Sequence, residues 1–249
     1  MHGDAQLCLH CVSDDEQTFG TSYWHRSHQI PGVTVCWRHN IHLINSCPNC
    51  QRPFLFKSAL FKLPWQPCRC GWRPSSIPAP SLTNPNREAL QYALFCHDLL
   101  AAALPPVPAQ HLFQTYRKQA IALGFKYGSD ASTDRLEAAV CEHFGEALLS
   151  QIDPAYASTR AQHWLPLATY QSALDTPITR HILLSLFLFG SVDQLAQHLK
   201  QHTCNGTARG TPHKMRNGYQ EAFGELVLER EQHRIKRDID KRWAELVYD

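Results

Sequence analysis

The sequence predicts a mainly α-helical protein that carries a small cysteine-rich module near its N-terminal end. Two patterns predict this fold class. Cysteines and histidines recur in close pairs between residues 8 and 70, and beyond residue 85 apolar side chains recur at the spacing of amphipathic helices. With 249 residues and 43% hydrophobic content, the chain can form one large or two small domains with an ordinary core.

The cysteine-rich module contains four pairs of metal-ligand residues. The pairs are Cys8-x-x-Cys11, Cys36-x-x-His39, Cys47-x-x-Cys50 and Cys68-x-Cys70. Zn²⁺ closes a structural site with four thiolate or imidazole ligands, so eight ligands predict two tetrahedral zinc sites. Pairing neighbours gives a Cys₃His site from Cys8, Cys11, Cys36 and His39 and a Cys₄ site from Cys47, Cys50, Cys68 and Cys70.

Other uses of these ligands are weaker interpretations. A cross-braced RING finger has the same ligand order. In a RING finger only about two or three residues separate the histidine from the third ligand pair, whereas seven residues separate His39 from Cys47 in this chain. His10 and His42 could replace His39 in the first site. A disulfide framework is disfavoured because the pattern includes a histidine. A catalytic zinc site is disfavoured because full ligand sets leave no open position.

Charge is distributed unevenly along the chain. Residues 17–87 contain eight basic side chains and no acidic one, although the formal net charge of the chain is only +2. Seven thiolates and two Zn²⁺ ions carry a net charge of −3, so about five of the eight positive charges remain after this correction. This excess favours a polyanionic partner such as nucleic acid, with simple solvation of the surface as the alternative.

Candidates for nucleic-acid or partner binding come from this segment and from residues 194–220, which also lack acidic side chains. A basic loop of this kind suits a phosphate backbone, although the second stretch could also be a polar linker. The candidates are Arg26, His28, Gln29, Arg38, Lys57 and Arg73 in the module and Lys200, Arg209, Lys214 and Arg216 in the second stretch.

Three segments are expected: a tandem zinc finger or ribbon module over residues 1–74, a Pro- and Ser-rich linker over residues 75–85, and a helical domain over residues 86–249. Asn84 and Pro85 predict the start of the first helix of that domain. Its expected buried face comprises Leu90, Ala93, Leu94, His97, Leu100 and Leu104. Further helices are expected over residues 110–123, with Leu123 buried, over residues 132–144 with a continuation to 152, and over residues 177–189.

Residues 182–189 are apolar almost all round, which predicts a central buried helix. Another helix begins at Ser191, and this order invites a helix-turn-helix interpretation. A recognition helix would then have to follow residues 203–212, which contain two glycines and a proline. Residues 218–247 predict a long charged helix whose apolar stripe could close the domain or bind a partner.

No catalytic constellation of side chains occurs in the sequence, which therefore predicts a protein that is not an enzyme. The longest apolar run, residues 182–189, is far shorter than the ~20 residues of a membrane span, and residues 1–5 offer no signal pattern. Ten cysteines, of which seven are proposed metal ligands, fit a reducing cytoplasm. The other three, Cys96, Cys141 and Cys204, are expected to be buried or inert.

Two sets of residues resemble a known family. The first is Tyr23-Trp24-x-Arg26-x-His28-Gln29-x-Pro31-Gly32-Val33-x-x-Cys36-x-x-His39, continued by Leu43 and Cys47-Pro48-x-Cys50. It resembles the TniQ/TnsD family of transposition target-selection proteins. The second set, His163-Trp164-Leu165 with the segments 179–184 and 187–192, is similar to the helical region that follows the zinc fingers in TnsD-like members. One departure is the last ligand pair, which has one intervening residue rather than two.

The resemblance implies a non-enzymatic adaptor. Such a protein joins target DNA, or an RNA-guided CRISPR effector on it, to an AAA+ ATPase of the TnsC type and so to the transposase. The implied partners are therefore DNA, that ATPase, an effector complex with guide RNA, and a second copy of the chain. Two other functions remain open: direct recognition of an attachment site in DNA, and a RING-like zinc scaffold for protein interactions.

Overall fold

The structure is a computed structural model that describes residues 5–54, 64, 66–74, 86–102, 104, 107–125, 130–156, 164–165 and 176–204. These residues contain seven α-helices, one 3₁₀-helix and three isolated β-bridges. The predicted fold class, a helical protein with a small N-terminal metal-binding module, is confirmed. The chain divides into two compact units: Met1–Ala102 with Ala139–Gln162, and Ala103–Ala138 with His163–Asp249.

Helix α1 (Leu9–Phe19) begins directly at the first ligand pair. Cys8 is its N-cap, because the Cys8 sulfur accepts a hydrogen bond from the backbone N–H of Cys11 at 3.5 Å. Gly20 ends the helix in the left-handed conformation, with φ of 72°. The sequence did not predict this short polar helix, because its start is set by the ligand pair and not by an apolar pattern.

Short turns build the rest of the metal-ligand module. A 3₁₀-helix (Arg26–Gln29) precedes the Pro31–Gly32 turn. The Gln29 side chain donates to the Gln6 carbonyl at 2.7 Å and accepts from the Gln6 N–H at 3.0 Å, so it fastens the preceding chain to this helix. Three isolated antiparallel bridges join Leu7 with Ile44, Val35 with His42, and Ser46 with Pro53.

Helix α2 (Arg87–Ala101) starts later than predicted and buries a different face. Its N-cap is Asn86 and not Asn84, and the Asn86 side-chain oxygen accepts hydrogen bonds from two N–H groups of the first turn. The predicted face was wrong, since Leu94 and Leu100 are exposed. The buried residues are Ala89, Tyr92, Ala93, Phe95 and Cys96.

The Pro31–Gly32 turn explains which face of α2 is buried. The Tyr92 hydroxyl donates a hydrogen bond to the Pro31 carbonyl at 3.0 Å. A buried phenol needs such a partner, so the turn selects Tyr92 for the interior in place of a leucine. Nearby, the rings of Trp37 and His97 stack with their centroids 3.6 Å apart. Helix α2 therefore belongs to the same compact unit as the metal-ligand pairs.

The predicted linker, residues 75–85, lies outside the described residues, so a domain boundary there stays a prediction. The first compact unit joins residues from both sides of it. That unit also includes the end of helix α4 (Asp130–Phe144) and all of helix α5 (Glu146–Ile152). Helix α4 buries Leu136, Val140 and Phe144 as predicted, and α5 is the predicted continuation.

The second unit contains helix α3 (Ala109–Ala122), the start of α4, helix α6 (Ile178–Phe189) and helix α7 (Val192–Cys204). Helix α6 is the predicted central helix, with eight of its twelve side chains buried. Helix α3 packs against α6 and α7, and the hydroxyls of Tyr116 and Ser185 lie 2.8 Å apart. Leu123, which was expected to be buried, is exposed.

Helices α6 and α7 meet at an angle of 86° around the Gly190 turn. The recognition helix of the helix-turn-helix interpretation and the segment 218–247 lie outside the described residues. Within the described part of the chain, no single helix has both the length and the apolar character to cross a membrane. The bent pair of α6 and α7 satisfies those two criteria only when its helices are taken together.

Replacing Gly32 by alanine should destabilise the first unit more than the same change at Gly20. Both glycines have left-handed backbone, with φ of 87° and 72°, where alanine is strained by roughly 1–2 kcal/mol. A Cβ at Gly32 would also lie 2.8 Å from Ile152 Cγ2 and 3.0 Å from Ile152 Cα, whereas a Cβ at Gly20 meets nothing within 4 Å. Urea unfolding should show a clearly lower midpoint for Gly32→Ala. Equal urea midpoints for the two variants would show that the Pro31–Gly32 turn does not pack closely against α5.

Candidate metal centres

The first metal-ligand cluster joins the start of α1 to the turn that follows Val35. It comprises Cys8, Cys11, Cys36 and His39. His39 Nδ1 lies 3.4 Å from the Cys8 sulfur, 3.3 Å from the Cys11 sulfur and 3.6 Å from the Cys36 sulfur. The Cys11 and Cys36 sulfurs are 3.6 Å apart. The nitrogen of His39 that faces the three sulfurs is therefore Nδ1.

The second cluster joins Cys47 and Cys50 to Cys68 and Cys70. The Cys47 and Cys70 sulfurs are 3.6 Å apart, and the Cys50 and Cys68 sulfurs are 3.5 Å apart. All four sulfurs lie within 4.8 Å of one another. A backbone hydrogen bond of 2.8 Å closes the turn at each pair, from Gln51 N–H to the Cys47 carbonyl and from Gly71 N–H to the Cys68 carbonyl.

Separations of this size fit metal ligation. Sulfurs in a disulfide are about 2.05 Å apart, and the seven cysteines of the two clusters form none. Ligands about 2.3 Å from a tetrahedral Zn²⁺ ion lie about 3.8 Å from one another, close to the separations in both clusters. Both clusters could therefore hold a metal ion, and their thiolate-rich donor sets suit Zn²⁺.

The clusters pair ligand residues that are neighbours along the chain. Cross-bracing would place Cys8 and Cys11 with the third ligand pair, so the RING-like pairing is wrong. His42 is exposed, and the His10 ring centroid lies 5.3 Å from that of His39. His39 is therefore the histidine of the first cluster, and the two alternative histidines are not part of it.

Asp14 contacts the candidate ligand His39 without being a member of the first cluster. Its Oδ2 accepts from His39 Nε2 at 3.0 Å, on the side of the ring opposite Nδ1, and from the Arg38 guanidinium at 3.3 Å. A carboxylate in this position keeps the proton on Nε2, leaves Nδ1 free to bind metal, and fixes the ring orientation. The sequence did not single out Asp14, because its role depends on α1 turning it towards His39.

The two clusters differ in exposure. The first-cluster cysteines are at most 2% exposed, whereas Cys50 and Cys70 of the second are exposed. In the first, hydrogen bonds from the Cys11 and Cys8 thiols lower the pKa of the Cys36 thiol. In the second, a hydrogen bond from the Cys70 backbone N–H is the main cause that lowers the pKa of the Cys68 thiol to about 6. Each cluster thus has a thiol that favours the thiolate, the form that binds metal.

The predicted nucleic-acid candidates among the described residues differ in exposure. His28 is 1% exposed beside the first cluster, so the prediction of an outside contact by His28 was wrong. Gln29 is exposed, but its side chain binds the Gln6 backbone. The candidates with exposed side chains are Arg26, Arg38 and Arg73 in the first unit and Lys200 in the second. Lys57, Arg209, Lys214 and Arg216 lie outside the described residues.

Two exposed arginines were missed as individual candidates. Arg52 and Arg69 have exposed side chains, and neither forms an ion pair with a residue in the described part of the chain. Arg38, in contrast, is paired with Asp14. The sequence contained evidence for both arginines, because Arg52 follows one ligand pair closely and Arg69 stands between the two cysteines of another.

Residues 2–43 match the family model TniQ. This segment of the chain is similar to the TniQ domain. The matched segment includes all four residues of the first cluster and ends before Cys47, so it contains the buried metal centre. The TniQ match supports a transposition-associated protein. The TnsD-like character of the helical region stays a prediction.

We expect the purified protein to contain about two zinc ions per chain and to release them to a chelator in two phases. The second cluster should lose its ion first, because a chelator can reach Cys50 and Cys70 while the first cluster is buried. Colorimetric zinc detection should show that Cys70→Ser removes the fast phase and Cys36→Ser the slow one. A single phase, or one ion per chain, would contradict this expectation.

Asp14→Asn should weaken metal binding at the first cluster by roughly 10- to 100-fold, the usual effect of removing the carboxylate partner of a ligating histidine. Competition with chelators of known affinity measures this. Asp98→Asn is the matched control, because Asp98 accepts from His97, which belongs to neither cluster. Equal zinc affinity in both variants would show that Asp14 does not hold His39 in place.

Proposed function

We propose that this protein is a zinc-binding target-selection adaptor for transposition. It holds target DNA, or an RNA-guided CRISPR effector on that DNA, and recruits an AAA+ ATPase of the TnsC type and through it the transposase. The observation that carries this proposal is the TniQ match over residues 2–43. The matched segment contains the first metal cluster and overlaps residues 17–87, a stretch with eight basic side chains and no acidic one.

Zinc is the proposed metal, and its proposed role is structural. One cluster offers three thiolates and an imidazole, and the other offers four thiolates. Four protein ligands leave no open position for water or substrate, so the free energy of metal binding contributes to folding. An ion in this role supplies no reaction chemistry, which fits an adaptor that is not an enzyme.

The proposal places nucleic acid on residues 17–87 and protein partners on the helical chain that follows them. Residues 17–87 carry eight basic side chains and no acidic one, whereas the chain after residue 87 has sixteen basic and eighteen acidic residues. Arg26, Arg38 and Arg73 of this stretch are exposed. Exposed guanidinium groups of this kind can bind phosphates.

Direct recognition of an attachment site is the second candidate function. The observation in its favour is the order of α6, the Gly190 turn and α7, which meet at 86° and would supply the helices that precede the recognition helix of such a motif. This candidate requires the chain alone to prefer one DNA sequence. An adaptor needs no such preference.

The adaptor proposal is tested with a fluorescent DNA duplex. Arg26, Arg38 and Arg73 are changed together to glutamine. The slope of log affinity against log salt should decrease by about 0.9 for each phosphate contact that is lost, with unchanged zinc content. The matched control changes Arg117, Lys118 and Arg135, exposed residues of the second unit, and removes the same charge. Equal slopes in the two variants would show that the first unit has no dedicated DNA surface.

Recruitment is tested in the same assay by adding the AAA+ ATPase of the same transposon. The unaltered protein should retain the ATPase on DNA, and the triple glutamine variant should bind the ATPase in solution without bringing it to DNA. No interaction with the ATPase would refute the adaptor proposal. A strong preference for one DNA sequence without the ATPase would support the second candidate.

A further inference from the structure

A groove on the first unit lies beside the second metal cluster. It contains about 400 Å³ of empty space that is open to solvent, and Trp24, Phe54 and Trp72 line it. The Phe54 and Trp72 rings are nearly parallel, at 11° with centroids 6.0 Å apart, and Trp24 is tilted by 48° from Phe54 at 6.2 Å. All three side chains are half-buried.

The second cluster holds two of these rings in place. Phe54 follows the turn at Cys50, and its backbone N–H donates to the Asn45 carbonyl at 3.0 Å. Trp72 follows Cys70, and its carbonyl accepts from the Cys68 N–H at 2.8 Å. Aromatic faces fixed in this way lose little conformational entropy when a flat ligand binds them.

Charge at the groove favours an anionic ligand. Arg52 lines the groove with an exposed side chain, and the exposed Arg69 stands between two ligand cysteines. Neither has an ion-pair partner among the described residues. Residues 44–74 contain five basic side chains and no acidic one. Four thiolates around one Zn²⁺ subtract two charges, so about three positive charges remain in the sequence of this segment.

We propose that this groove binds an unpaired stretch of nucleic acid, whose bases stack on the accessible rings while Arg52 and Arg69 contact the flanking phosphates. Aromatic faces beside basic side chains are the usual means of binding single strands without reading their sequence. A duplex cannot use the groove in this way, because its base faces are covered by neighbouring base pairs. The inference rests on the proposed function, since an RNA-guided effector displaces one DNA strand at its target.

A proline-rich peptide is the competing occupant, because grooves lined by aromatic residues also bind polyproline helices. A polyproline helix carries no backbone charge and would gain little from Arg52 and Arg69. The basic surroundings therefore favour a single strand of nucleic acid over a peptide.

The test measures fluorescence anisotropy of the full-length protein with a labelled oligothymidine of about 12 nucleotides and with a duplex of equal length. Phe54→Leu keeps an apolar side chain but removes the ring. It should weaken single-strand binding by roughly 5- to 100-fold and leave duplex binding unchanged. Phe54→Tyr retains the ring face and should retain binding.

Arginine variants test the phosphate contacts independently. Arg52→Gln with Arg69→Gln should reduce the salt slope of single-strand binding by about 0.7 for each lost contact. Arg87→Gln with Arg135→Gln is the matched control, because both residues are exposed, neither lines the groove, and the pair removes the same charge. Zinc content and the unfolding midpoint are measured for every variant. If Phe54→Leu loses its metal, the arginine pair still decides the question.

Unchanged single-strand affinity in Phe54→Leu, or an unchanged salt slope in the arginine pair, would overturn the proposal. The proposal would also be overturned if a proline-rich peptide displaced the labelled oligonucleotide at a lower concentration than unlabelled oligonucleotide does. Failure here is distinguishable from failure of the adaptor function, since duplex binding and ATPase recruitment by the unaltered protein do not depend on the groove.

Discussion

Metal ligation is the constraint on which the first unit depends. Its four ligand pairs lie on tight turns, and the apolar packing at the first cluster beyond the cysteines themselves comes from Ile41 and Leu43. So few apolar side chains at the cluster offset little of the entropy that is lost when its turns are ordered. Metal ions bound at the two clusters would add their binding free energy to folding. Helix α1 would depend on the first ion most directly, because its N-cap Cys8 is also a candidate ligand.

The ordered module in turn provides a packing surface for helices that contain no ligand. The Pro31–Gly32 turn receives the Tyr92 hydroxyl from α2 and lies against Ile152 of α5. The stability of both helices is thereby linked to the metal centres. The second cluster acts in a similar way on the aromatic groove, because the turns at its two ligand pairs position Phe54 and Trp72. Metal binding at the two clusters would thus shape surfaces that lie beyond the ligands themselves.

Features that follow from short-range sequence patterns could be predicted from the sequence. Ligand spacing predicted the two clusters that the structure forms, and apolar periodicity predicted α3, the buried face of α4 and the central helix α6. Prediction failed where the burial of a side chain depends on a contact with a residue far away in the sequence. Periodicity put Leu94 inside, but the Pro31 carbonyl, 61 residues away from Tyr92, selects the tyrosine instead. The burial of His28 and the contact from Asp14 to His39 likewise depend on how the module closes around its cysteines.

The contact between the Pro31–Gly32 turn and the two helices determines how the protein can be divided. Residues 75–85 look like the natural place to cut, yet a fragment that ends at residue 74 would leave this turn without Tyr92 and Ile152. A fragment that begins at residue 86 would expose the apolar face of α2. The smallest piece that keeps these contacts is discontinuous, since it needs α5 from far along the chain. A single cut therefore cannot release it, and an exchange of this module between proteins must carry both segments together.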